Sequence, residues 1–472
     1  MKSGKKLSLS LNPSLKRLPH DMTAQALVSV ALRSGDLYHA TAVYEVADSV
    51  ARVALDTILF EGRRDALTLA RWEHTPAVVL QALVRLSDAS VRQRVQRNLR
   101  TSGQTLAELY RTENSDALMT LIAQHRNTPA IVLESMAHES DSDEVLKAVA
   151  GNPSASATVL RILRARFPER FDAAIATHAA ASPDLLEAVY ETGNDYVRAA
   201  VVAHPACRRH LLTQAALSGN PLVLRQLAGN PRITAKLLAR LARSRTLAVR
   251  RAVAGNAVLT PELVIALAGD ESVGVRREIA LRGDLPLSVL EKFARDDDHW
   301  VRQRAARNPA TPVALLRELA GEENAEVRRA VARNPACPAE LLEQLAHDDN
   351  GWVRAAVAYQ PKAGAKLMKI LATDHAVDVL SGVAANPRAP QALLRQLAQS
   401  GEADVRRGVI LNPRASDTVL KSLLKDPYYL HRVLLVGNRT LKDEDKWPLL
   451  NDPDASVRFT AMRWFAGKVK AG

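Results

Sequence analysis

Apolar residues recur along this chain in short helical stripes. In Val327-Arg-Arg-Ala-Val-Ala-Arg-Asn-Pro335, Val327, Ala330 and Val331 fall on one side of a helix, and polar residues take the other. A second stripe follows, with Leu341, Leu342 and Leu345 in one unit and Leu315, Leu316 and Leu319 in its neighbour. Between the stripes, Asn-Pro stops the first helix, because a residue before proline avoids the α region. A further proline (Pro261, Pro312, Pro338, Pro390) suits the first turn of the second helix. No window shows sustained strand alternation, so the pattern predicts an all-α chain of two-helix units.

The units repeat. Strings like Val327–Pro335 start at Val145, Val197, Val223, Val249, Val301, Val353, Val379 and Val405. With the Asn of Asn-Pro as anchor, the series is Asn152, His178, His204, Asn230, Asn256, Arg282, Asn308, Asn334, Gln360, Asn386, Asn412 and Asn438. That is eleven steps of 26 without an insertion. Upstream the spacing loosens: Asn127 lies 25 before Asn152, Asn98 29 before that, and His74 24 earlier still. A single unit cannot bury both stripes, so units must stack. The expectation is a right-handed α-solenoid of about 14–15 two-helix repeats with no sheet. Its organisation reads as a basic flexible arm (1–21), a helical N-terminal cap or degenerate repeats (22–61), irregular repeats (62–140), regular repeats (141–456), and a truncated repeat with a C-terminal cap (457–472). Trp447, Trp464, Tyr428, Tyr429 and Phe465 are expected to form that cap.

The skeleton Val-Arg-x-Ala-Val-Ala-x-Asn-Pro-x-x-Pro-x-x-Leu-Leu-x-x-Leu-Ala-x-Asp, nearly complete over 327–348, resembles the leucine-rich repeat variant family. That family lies within the HEAT-like and armadillo-like solenoids. The resemblance implies alternating α and short or 3₁₀ helices, and it says little about activity. Some members carry an N-terminal cysteine cluster for an iron–sulfur centre. This chain has no Cys before Cys207, so that cofactor does not carry over.

Composition adds a little. The chain has 472 residues, 47% hydrophobic, with 64 Lys+Arg against 51 Asp+Glu, for a net charge of +13. Disordered, collagen-like and disulfide-rich classes are excluded. No apolar run is long enough to span a bilayer, and no secretory signal is visible, so a cytoplasmic protein without membrane insertion is expected. Cys207 and Cys337 share one slot of the repeat and read as buried structural thiols.

Stacking turns each repeat position into a column. An Arg six before the anchor recurs from Arg198 to Arg458, and an acid twelve before it from Asp270 to Asp452; together they predict an Arg–carboxylate ladder between repeats. Five and one before the anchor, on the solvent face, stand Arg225, Arg251, Arg277, Arg307, Arg329, Arg333 and Arg407. They form a candidate basic stripe for a phosphate backbone or an acidic protein, against which the acids Asp297, Asp298, Glu323 and Asp349 count. The arm adds Lys2, Lys5, Lys6, Lys16 and Arg17 with no acid. Trp300 and Trp352, both eight before their anchors, are candidate aromatic contacts.

No phosphate loop, zinc-helix, nucleophile-elbow or Cys-x-x-Cys motif occurs, and no catalytic residue, metal ligand or cofactor is expected. His178 and His204 stand in for the anchor Asn and read as turn caps. The leading reading is a non-catalytic scaffold that binds another protein. The second is DNA binding through the stripe and arm. The third is a HEAT-like glycosylase for alkylated bases, with Trp300 beside Asp296 or Asp348.

Overall fold

The structure is a computed structural model that describes residues 22–86, 88–112 and 115–471. Lys2, Lys5, Lys6, Lys16 and Arg17, and with them the arm, lie outside the described residues. Among the described residues the chain is helical from Ala24–Ser34 to Ala455–Ala471, with no strand. It divides into two compact units, one holding the residues up to Arg100 and from Ala339 onward, the other Thr101–Pro338.

In the unit Thr101–Pro338 the predicted pattern is realised directly. A nine-residue helix, His299–Arg307, is followed by a seven-residue one, Val313–Leu319. Val301 and Ala305 of the first are fully buried, as is Leu316 of the second. Asn308, with ψ near 127°, turns the chain out of the first helix, as expected of a residue before proline. The second helix of each regular unit is a short α-helix, and 3₁₀ geometry is seen at Trp447–Asn451. Pro261 occupies a first helical position, whereas Pro312 and Pro390 stand one residue earlier, at the cap. First helices stack on first helices: Pro221–Gly229 packs between Asp195–Ala203 and Leu247–Ala254. Cys207 and Cys337 are both buried and free, and burial pushes the Cys207 thiol up to about 11.

The other unit contains the repeats from Ala339 onward and the N-terminal helices. Here first helices come so close that glycine is required between them. A Cβ on Gly382 would stand 2.7 Å from the Cβ of Ala358, and one on Gly408 2.8 Å from that of Ala384. The helix Leu37–Val43 packs on the C-terminal helix Ala455–Ala471. Phe459 meets the ring of Trp72 at 4.5 Å, and Tyr38 meets Trp72 at 5.1 Å. Residues 22–61 are thus joined to the last helix of the array. Of the expected C-terminal cluster, Trp447 and Phe465 pack in the core at 4.9 Å, while Tyr428 and Tyr429 remain 45% and 37% exposed.

Two polar ladders tie the stack together. The first is made by the anchors. Asn334, fully buried, donates from Nδ2 to the carbonyls of Ala306 (2.7 Å) and Asn308 (2.8 Å), and its Oδ1 accepts from the Ala336 N–H. Asn256, Asn386 and Asn412 repeat this arrangement. His178 and His204 accept from the turn through Nδ1, which leaves Nε2 to donate to the preceding anchor's carbonyl at 2.8 and 3.1 Å. Arg282 does the same with a guanidinium N–H. The anchor residue is therefore an inter-repeat donor as well as a turn cap.

This ladder corrects the upstream register. Asn98 donates to the carbonyls of Ala70 and Trp72, and Asn152 to those of Ala123 and His125. The preceding anchors are therefore Trp72 and His125, not His74 and Asn127. His125 also accepts the Asn127 N–H through Nδ1, as His178 does two residues on. The spacings become 26 (Trp72 to Asn98) and 27 (His125 to Asn152), so the repeat is more regular upstream than Asn-Pro suggested.

The second ladder is the Arg–carboxylate series. Arg250, Arg276, Arg354, Arg406 and Arg432 each reach the acid 20 residues on, with Nε–Oδ2 distances of 2.6–2.8 Å. Each also donates to the carbonyl six residues back, for example Arg276 to Asp270 at 3.1 Å. The acid's other oxygen caps the following turn, as Asp296 Oδ1 does for the Asp298 N–H. These forks are internal mortar, not ligands.

Candidate functional site

Both ladders are turned inward, and the first helices keep an exposed face of their own. Eight residues before the anchor, at the start of the first helix, several repeats expose a large side chain. In the unit Thr101–Pro338, Tyr196 is 77% and Trp300 45% exposed; in the other, Trp352 is 53% and Leu430 41% exposed. Trp300 stands beside the ring of His299 at 5.5 Å. Sequence reading singled out the two tryptophans but not Tyr196 or Leu430, which share their column and were visible by the same count.

The basic stripe is only partly available. Arg225, Arg251, Arg277, Arg307, Arg333 and Arg407 are exposed, as the helical spacing predicts. Arg277, however, makes two hydrogen bonds to Asp298, at 2.9 and 2.6 Å. That bond holds the Asp298 carboxyl below its ordinary range and raises the guanidinium. Arg329 makes two to Glu326, and Arg251 a single Nε contact of 3.3 Å to Glu278. Arg225, Arg307 and Arg407 carry no ion pair among the described residues. Spacing along one helix located these side chains; their carboxylate partners, 21 and 27 residues away for Arg277 and Arg251, were outside its reach.

Two clefts open on this unit. One, of about 760 Å³, runs across three consecutive first helices and is lined by Arg225, Gly229, Leu247, Arg251 and Glu278, among others. The other, of about 720 Å³, is acidic, with Asp297, Glu318, Glu322 and Glu323. Asp296, weighed as a partner of Trp300, is buried and held by Arg276 through both oxygens (2.7 and 3.0 Å). Among the described residues no three His, Cys, Asp or Glu side chains are grouped to hold a metal ion, and no helix is long and apolar enough to cross a membrane.

Stacked two-helix units with inward ladders and bare first-helix faces define a helical repeat scaffold. Residues 325–350, one complete repeat, match the leucine rich repeat variant family model. A comparison with curated proteins finds none that matches the chain.

Proposed function

We propose that this chain is a non-catalytic repeat scaffold, working in the cytosol, that holds another protein on the exposed face of its first helices. The observation that carries this reading is one repeat position that exposes large side chains within each unit, Tyr196 and Trp300 in Thr101–Pro338 and Trp352 and Leu430 in the other, each more than 40% exposed. Tyr and Trp are over-represented among the few residues that carry most of the binding energy where proteins meet. A repeat protein has no structural need to place them there, because its core is closed by the Val and Leu stripes. Binding of nucleic acid by the basic stripe is the weaker reading, since Arg277 and Arg329 already have carboxylate partners. A glycosylase built on Trp300 and Asp296 is weaker still, because Asp296 belongs to the ladder.

The test is affinity capture from native lysate with the wild-type chain and with Tyr196→Ala/Trp300→Ala. The reading expects a discrete protein, recovered near stoichiometrically and lost with the variant. Recovery that ignores the variant, or no specific protein, overturns it. Anisotropy with duplex DNA runs beside it. Tight binding that survives physiological salt, about 0.15 M, would shift the reading to nucleic acid.

A further inference from the structure

The cleft across Pro221–Gly229, Leu247–Ala254 and Val273–Ala280 differs from the rest of the first-helix surface in three ways. Its two cations stand at the same position of successive repeats, and neither is locked in a two-point carboxylate fork of the kind Arg277 makes. Arg225 has no ion pair among the described residues, and Arg251 spends one Nε–H on Glu278, at 3.3 Å, leaving its terminal N–H groups. Its position one before the anchor is glycine in two successive repeats, Gly229 and Gly255, whereas Gly151 and Gly437 stand singly and other repeats place Arg307, Arg333, Tyr359 or Leu411 there. The missing side chains open the cleft. Its remaining wall carries Gln226 and Thr246 and an apolar patch, with Leu247, 47% exposed, beside Ala248 and Ala252.

We propose that this cleft is the anchor site for an acidic side chain of the bound protein: Arg225 and Arg251 grip one carboxylate, and Leu247 receives the apolar residue next to it. The proposal rests on the protein-binding reading above and deepens it. Guanidinium forks favour carboxylate geometry, and a charge-assisted bond in a partly enclosed cleft is roughly twice as strong as a neutral one. A continuous polyanion fits poorly. Beyond Arg251 it meets Glu278, which lines the cleft, then Asp298 on Arg277, and the same unit carries the acidic cleft of Asp297, Glu318, Glu322 and Glu323. A single acid flanked by apolar residues meets only Glu278, whose charge is already shared with Arg251, whereas a phosphate backbone meets all of these acids.

The experiment is selection of a random dodecapeptide phage library on the full chain, in parallel with Arg225→Gln/Arg251→Gln. The proposal expects enriched peptides that share an Asp or Glu next to an apolar residue. The best of them, made synthetically, should lose about tenfold or more in affinity to the double variant, and as much when its acid becomes the amide. Arg407→Gln, elsewhere on the stripe, should leave binding unchanged. Enriched peptides without an acid, or acidic ones that bind the double variant equally, overturn the carboxylate site while leaving protein binding in place. No enrichment at all counts against both. If duplex DNA displaces the peptide at 0.15 M salt, the cleft belongs to a polyanion and the proposal falls.

Discussion

Arg458, the last arginine of the inter-repeat ladder, pairs with Asp36, 422 residues earlier, at 3.0 Å from Nε. Every other paired ladder arginine named above takes its acid 20 residues on; for Arg458 that position lies beyond residue 472. Asp36 fills the role in the same way. Its Oδ2 accepts from the arginine, while its Oδ1 caps the helix Leu37–Val43 by accepting the N–H groups of Tyr38 and His39. The N-terminal helix therefore stands to the C-terminal one as each repeat stands to the next.

Asp36 thus combines a cap and an ion pair, and two variants separate them. Asp36→Asn keeps a capping oxygen and should cost about 1 kcal/mol, whereas Asp36→Ala loses both and should cost about 2–3 kcal/mol. Hydrogen exchange should quicken in 24–43 and 455–469 first, because repeat stacks open locally. Protection unchanged in both segments would show that the pair holds nothing.

The anchor ladder predicts an unusual tolerance. Asn334→Ala strands two carbonyls and a turn N–H in the core and should cost about 3 kcal/mol. Asn334→Asp has no N–H to donate and should be at least as damaging. Asn334→His should be far milder, since His178 and His204 already serve in that position. Urea unfolding of the three variants checks the order, and Ala proving as mild as His would contradict it.

Much of this architecture is legible in the residues. The period, the Val and Leu stripes, the arginine ladder and the buried cysteines all follow from spacing, because each depends on a contact repeated every 26 residues. The donor role of the anchor was harder to see, since Asn before Pro already has a sufficient local explanation as a turn. The clue was in its replacements: His, Gln and Arg share with Asn an N–H donor and little else. Trp72 and His125 were missed as anchors because nearby His74 and Asn127, each two residues before a proline, imitated the motif. The Asp36–Arg458 contact has no local signal at all. On the first-helix face, spacing found the arginines but not which of them a neighbouring repeat had already paired.

Acid should weaken the stack. The hydrogen bond from Arg354 holds the Asp374 carboxyl below its ordinary 3.8, and Arg277 does the same for Asp298. A folded pKa below the unfolded one means the unfolded chain binds protons first as pH falls. The stabilisation is complete above about pH 5, roughly a unit over the unfolded value, and is lost as pH drops through the depressed folded values. Thermal melts should be flat from neutral pH to about 5 and then fall, with a shallower fall in Asp374→Asn. An identical acid slope in that variant would remove Asp374 from the account.

Lys446 is fully buried, its Nζ has no hydrogen-bond partner, and it lies 3.8 Å over the Trp464 ring. Burial lowers its pKa, against the opposing pull of Asp443. A buried cation without a hydrogen-bond partner costs more than its attractions return, so Lys446→Met should raise the melting temperature at neutral pH. The gain should shrink at alkaline pH, where the wild-type amine sheds its proton. A lower melting temperature for Lys446→Met would mean that the cation–π contact outweighs desolvation.

The proposed scaffold holds its partner protein on the first-helix face. The most direct measurement is photo-cross-linking in native lysate, with a photoreactive amino acid placed at Tyr196, at Trp300, or at Ile265, which is 51% exposed on the second helix Pro261–Leu267. One discrete protein adduct is expected from positions 196 and 300 and none from 265. Adducts from 265 alone, or none from 196 and 300, would contradict it.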